Sequence, residues 1–485
     1  MSERRGQFVS DTDYVARIRR YKPSSLIPII AEVGAALSEP GSWLQAGTAA
    51  INPWALADIA RVSLVSGNEY RQSATRGDLS KCLSDYWLLD EPQAEQDAVM
   101  SFLFRKTLEQ LGFSESRYHN LLRTAALFAQ TTPPDDLTII RPGWFEELFG
   151  CTLSQYVGVG FIVHSVASTH AGRFDEAWLE QETAVQPILE KIPLSLMTQV
   201  IEKNFTGDVS HFRKERIDFG ANPLRRYTFN PLLDRPMVSG LTEERLVPVP
   251  SLIDKKISPL GIWYSGFFCW DEAFATEVGH LFERYVGRHL ELIPKKTLIQ
   301  EIPYDGGKRS VDWIVVMERA VLLVEVKSTR PTEPIRLGSP AMWEVLSTKL
   351  SKAYAQVEKA SRCIGESHSA FSEVPPDLPR LGLIVTMERF PLVNTPEVRE
   401  RIDAASTIPT IVCCSEELEL LVTLRGEDID SFLLEFLTRA DPDGFDLHNE
   451  LTKRNHDDFC RNTVMDAAWE AYDWGLPPLD DDGEY

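Results

Sequence analysis

Cysteine is scarce in this chain: seven in 485 residues (Cys82, Cys151, Cys269, Cys363, Cys413, Cys414, Cys460), none in a C-x-x-C pair. That excludes a disulfide framework and the usual zinc-finger spacings, and reduced thiols in a cytoplasmic protein are the expectation. Long apolar runs are missing too. The greasiest stretch, residues 157–167, is too short to cross a bilayer and contains His164. The opening MSERRGQFVSDTDY has no apolar centre, so neither a secretory leader nor a membrane partner is expected. There is also no long basic tract, and the formal charge is −22. Much of that charge is local: residues 426–485 hold 17 acidic and 4 basic side chains, whereas residues 284–380 hold 15 basic and 12 acidic. Nucleic-acid binding is therefore not excluded. What is present is ordinary: 43% hydrophobic and 25% charged residues, as in a soluble globular chain with room for roughly three domains.

Residues 1–220 read as helices. Asn52-Pro53 is an N-cap followed by proline, and Gly67-Asn68 ends that helix. Further helices are expected at 142–149, 153–168, 175–191 and 194–204. The histidines His119, His164, His170 and His211 share no helix face at ligand spacing, which makes them surface or core residues. The basic start (Arg4, Arg5, Arg17, Arg19, Arg20) reads as a solvated helix face. Residues 221–267 turn to prolines and short strand-like pieces (YTF, PMVS, RLVPVPS, IWYSG), read as a β-rich linker element.

A new helix is expected near Asp271, with an apolar stripe of Phe274, Val278, Leu281, Phe282, Tyr285 and Leu290. Glu283 lies at its edge, with Gly279 and Gly287 a turn to either side. Glycine inside a helix costs about 1 kcal/mol relative to alanine, so either something approaches the backbone closely at Glu283 or Glu283 faces solvent with incidental glycines. Glu277, on another face, is expected to be solvated. Strands follow at 298–304, 311–317, 320–326, 380–386 and 409–414, with a helix at 342–363 between the third and fourth. Helices at 416–424 and 428–438 come next. The final residues 480–485, DDDGEY, read as a solvated acidic end; a bolder reading has them mimic nucleic acid and fill a cleft.

Two apolar runs flank Glu318-Arg319. If that pair is a two-residue turn, Met317 faces Ala320, Val316 faces Val321 and Ile314 faces Leu323. Asp312 then stands opposite Glu325, and Lys327 shares their face by strand alternation. Like charges directly opposed on a sheet destabilise it. A cation between them would reverse that sign.

This order of elements, with Asp312 on one strand and Glu325-Val326-Lys327 on the next, resembles the PD-(D/E)XK phosphodiesterase superfamily. Gly279-His280-Leu281-Phe282-Glu283 is similar to the first-helix glutamate segment of many members. The resemblance covers about a third of the chain. Val311 stands where the motif's proline would, and Tyr354 precedes Gln356, the reverse of the Gln-x-x-x-Tyr order of some recombination nucleases.

The pattern along the chain reads as multidomain: an all-α half (1–220), the β-rich linker (221–267), an α/β domain (268–425), and an acidic helical extension and tail (426–485). The resemblance says nothing of 1–220 and implies that 268–425 is a restriction-endonuclease-like domain with a mixed central sheet. It implies Mg²⁺ or Mn²⁺ held by Asp312, Glu325 and the Val326 carbonyl, with Glu283 on a second ion or a bound water. Lys327 would be catalytic beside them, and Lys352 and Gln356 would touch phosphate or water. The expected activity is hydrolysis of phosphodiester bonds, with DNA as the expected substrate. A helical half of unassigned role suggests an effector of anti-phage or anti-plasmid defence with a partner protein, an expectation no residue carries. The alternative is an inactive member of the fold that binds nucleic acid or a partner protein.

Overall fold

The computed structural model describes residues 8–37, 51–91, 98–111, 113, 116–181, 183–214, 224–402, 404, 406–425, 429–439, 446–454 and 458–474. Arg4, Arg5 and the acidic tail lie outside the described residues. The described residues form two compact units, one from within 8–125, 142–270 and 469–474, the other from within 126–141 and 271–468.

In the first unit, Asn52 caps Pro53–Ser66 with extended backbone, proline follows in the first turn, and Gly67 ends the helix. Capping boxes start Arg76–Trp87 (Thr75 with Asp78) and Leu153–Thr169 (Thr152 with Gln155). Helices Asp11–Ile18, Pro23–Ala35, Pro53–Ser66 and Arg76–Trp87 share a core that includes Tyr14, Leu56, Ile59 and Tyr86. Buried beside it, Arg225 grips Asp58 in bidentate fashion at 2.7 and 3.0 Å and also bonds Asp11 at 2.9 Å. The Tyr14 hydroxyl donates to Asp58 at 3.0 Å.

That cluster corrects the expected boundaries. Residues 221–267 are not a linker, because Arg225 is built into the first unit's interior. Met237–Ser239 and Arg245–Leu246 also complete a four-stranded sheet with Arg173–Phe174 and Thr206–Asp208. The first 220 residues are therefore not all-α, and two of those strands lie among them. Residues 262–266 (IWYSG) are helical; a short apolar run does not by itself separate a strand from a buried helix. Nor do the described residues of 426–485 form a separate extension, since 429–439, 446–454 and 458–468 belong to the second unit and 469–474 to the first.

The second unit is a mixed α/β structure. Helix α1 (Pro259–Leu290) leaves helical geometry at Asp271 (φ 51, ψ −141), where this unit begins. Strands β1 (Thr297–Gln300), β2 (Trp313–Val316) and β3 (Val321–Lys327) follow. After them come α2 (Met342–Gly365), β4 (Arg380–Thr386) and β5 (Thr410–Cys414). The sheet order is β5-β4-β3-β2-β1. β1, β2 and β3 pair antiparallel, whereas β3, β4 and β5 pair parallel. β3 is central and buried along nearly its whole length, which is why it reads as a continuous Val/Leu run. A Cβ on Gly382, the register partner of Leu323, would come within 2.8 Å of Val357 Cγ1, so α2 covers the Leu323–Glu325 face.

Candidate active site

The Met317 amide donates to the Ala320 carbonyl at 3.0 Å, which makes Glu318-Arg319 the two-residue turn. The ladder then pairs Val316 with Val321, Ile314 with Leu323 and Trp313 with Val324. One step further out, Asp312 stands against Glu325. Its Oδ2 accepts the Val326 amide at 2.6 Å. Lys327 Nζ bonds Glu325 Oε1 and, at 3.3 Å, Gln356 Oε1. Two carboxyls and one ammonium thus converge at the end of the β2–β3 hairpin.

Glu325 is fully buried (0% exposed), and its Oε2 has no hydrogen-bond partner. Burial pushes its pKa up to about 8, helped by the Asp312 carboxylate and opposed by Lys327. Burial likewise pushes Asp312 up to about 6, against the pull of the Val326 amide. Two facing carboxyls in a dry place resist ionising together.

Helix α1 meets the opposite face, where Trp313 points. A Cβ on Gly287 would sit 2.8 Å from Trp313 Cε2, and one on Gly279 would sit 3.2 Å from Ser328 Oγ. Trp313 Nε1 donates to the Glu283 carbonyl at 3.1 Å. Both glycines are thus places where β2 or the end of β3 comes against the helix. Burial raises the Glu283 pKa, with His280 opposing; His280 Nδ1 lies 3.7 Å from Glu283 Oε2. The Glu283 charge also helps to raise both Asp312 and Glu325, so it acts within reach of them.

Gln356 is brought to the site through Lys327, while Lys352 is exposed one turn earlier on α2. Glu277 is not solvated as expected. It is 8% exposed and accepts the amides of Thr138 (2.8 Å), Ile139 (2.9 Å) and Ile140 (2.7 Å). Two groups escaped the sequence reading. His280 is one turn before Glu283. Glu301, just after β1, acts on the charge of Glu283 and Asp312. His280 stood in the 279–283 helix segment but without a role, and nothing local marked Glu301.

The donor set is all oxygen, which suits a hard divalent ion. Among the described residues no three His, Cys, Asp or Glu side chains gather as a ready-made ligand group. Magnesium needs fewer, since one or two carboxylates commonly hold it while water and phosphate complete the shell. The unpartnered Glu325 Oε2, on a carboxyl whose charge is coupled to that of Asp312, fits that requirement. No helix among the described residues is long and apolar enough to cross a membrane. No protein-family model matches this chain, and neither a curated protein nor a solved structure matches it.

Proposed function

We propose that the chain is a metal-dependent nuclease of the PD-(D/E)XK kind, hydrolysing phosphodiester bonds, with DNA as the expected substrate. The observation that carries this reading is the buried Asp312–Glu325 pair with Lys327 bonded to it. The element order supports it as well. A helix, an antiparallel hairpin, a second helix and a parallel strand agree with the restriction-endonuclease-like arrangement.

Asp312 and Glu325 would hold Mg²⁺ or Mn²⁺, with the Val326 carbonyl at the edge and Glu283 on a second ion or a water. Such an ion supplies a water of lowered pKa and neutralises charge on the phosphate. Lys327 does the rest from the protein side. Anchored between Glu325 and Gln356, its ammonium would orient the attacking water and offset charge on the phosphorane-like transition state. The Val326 amide fixes one oxygen of the Asp312 carboxyl, and the other would be available to hold the ion.

The test is purified protein offered linear, circular and single-stranded DNA and RNA, with and without Mg²⁺. Cleavage that needs the metal supports the reading. Intact substrates throughout, with Mn²⁺ tried as well, would overturn it.

A further inference from the structure

Helix α2 sets Lys349, Lys352, Gln356 and Lys359 three or four residues apart, so they share one face. That face looks toward the hairpin's charged end, because Gln356 Oε1 lies 3.3 Å from Lys327 Nζ. Lys352 is exposed one turn before Gln356, and Lys359 lies one turn after it, 5.4 Å from the Tyr304 ring centroid. Lys349, two turns before, is half-buried. Burial first, and then the neighbouring Arg330 charge, hold its ammonium below the ordinary value, with Glu272 opposing. Glu358, the acidic residue next to Lys359, is occupied elsewhere, accepting the Thr407 amide at 2.8 Å and hydroxyl at 2.7 Å.

Leading out of β3, Thr329 and Thr332 keep buried hydroxyls without a hydrogen-bond partner. Buried polar atoms usually find one. Arg330, whose charge acts on Lys349, stands in the chain between those two threonines, and cations with unfilled hydroxyls favour an anion with several acceptor oxygens. The span from Lys349 to Lys359 is ~15 Å at 1.5 Å per residue. That is room for about four phosphates of one duplex strand.

We propose that this face of α2, with Arg330 and the two threonines at its Lys349 end, is a track for the phosphodiester backbone of nucleic acid. Phosphates flanking the scissile one rest on Lys349, Lys352 and Lys359, which delivers the scissile group to Asp312, Glu325 and Lys327. The proposal rests on the nuclease reading and adds to it how the substrate is held. The shared ligand is the sugar-phosphate chain, and DNA and RNA are separate arms of the test.

The experiment is fluorescence anisotropy of labelled duplex DNA, single-stranded DNA and RNA with the full chain, in chelator so that nothing is cut. The wild type is compared with the triple variant Lys349→Gln/Lys352→Gln/Lys359→Gln across a salt series. For whichever nucleic acid binds, the slope of log affinity against log salt should become shallower. The loss should be about 0.9 per lysine on a duplex, or about 0.7 on a single strand. Lys352→Gln alone, at an exposed position, should lose about one unit, and Lys352→Arg should restore it. Identical affinities and slopes overturn the track, and so does a wild type that binds none of the three. If binding follows the lysines but no divalent ion supports cleavage, the nuclease reading fails and the track stands. Under metal-dependent cleavage with an unchanged salt slope in the variants, the track fails and the nuclease reading stands.

Discussion

The indole of Trp313 occupies the space that a side chain at position 287 would need, which is why the helix carries glycine there. The contact fixes α1 against β2 and, through Trp313 Nε1 on the Glu283 carbonyl, sets where that glutamate stands.

Gly287→Ala should therefore destabilise the protein, although alanine is the better helix former by about 1 kcal/mol. Overpacking against a ring costs ~1–3 kcal/mol, so a net loss is expected. Urea unfolding measures it. A variant as stable as wild type, or more so, would show that the indole does not pin this helix.

Glu277 is held by backbone amides rather than by water. Burial works to raise its pKa, but the amides of Ile140, Thr138 and Ile139 outweigh it and hold the carboxyl below its ordinary value. The folded state thus favours the ion. Its contribution is complete above the ordinary carboxylate range and is lost as pH falls through the depressed folded value. Glu277→Ala should cost at least ~2 kcal/mol at neutral pH, because several buried donors lose their acceptor. The gap between variant and wild type should narrow in acid. Unfolding curves recorded across the acid range test this, and a pH-independent gap would contradict it.

At the hairpin the sign is opposite. Glu325 is pushed up to about 8 and Asp312 up to about 6, both by burial first. An acid with a raised folded pKa keeps a proton that the unfolded chain has already released. Stability therefore falls as pH climbs from the ordinary carboxylate value toward the folded one. In chelator, the wild-type unfolding midpoint should drop between about pH 4 and 8. Glu325→Gln should flatten that dependence and be the more stable protein at the alkaline end. Mg²⁺ should then stabilise the wild type and leave Glu325→Gln unmoved, as expected of a ligand that binds only the native site. A flat wild-type profile in chelator would remove the buried-pair account.

The hairpin was legible because a two-residue turn fixes register, and register fixes every facing pair. Counting outward from Glu318-Arg319 places Asp312 against Glu325 before any coordinates are known. The glycines of α1 were half legible: close approach could be inferred, but Trp313 and Ser328 as its cause could not. Glu277 was opaque, since its partners come from residues 138–140, far back in the chain. The unit boundaries failed for the same reason. Arg225 reaches Asp11 and Asp58 across most of the first unit, and no local pattern announces such a pairing. Gln356 could be named from the resemblance as a phosphate or water contact, but its contact with Lys327 needed the fold.

In the proposed reaction Asp312 and Glu325 share a divalent ion beside Lys327 to cut a phosphodiester. The most direct measurement is Mg²⁺-supported cleavage by wild type, Glu325→Ala and Lys327→Ala, with circular dichroism to verify that each variant is folded. Wild type should cut, and both variants should lose at least ~10²-fold in rate while keeping their fold. Folded variants that cut at the wild-type rate would contradict the claim.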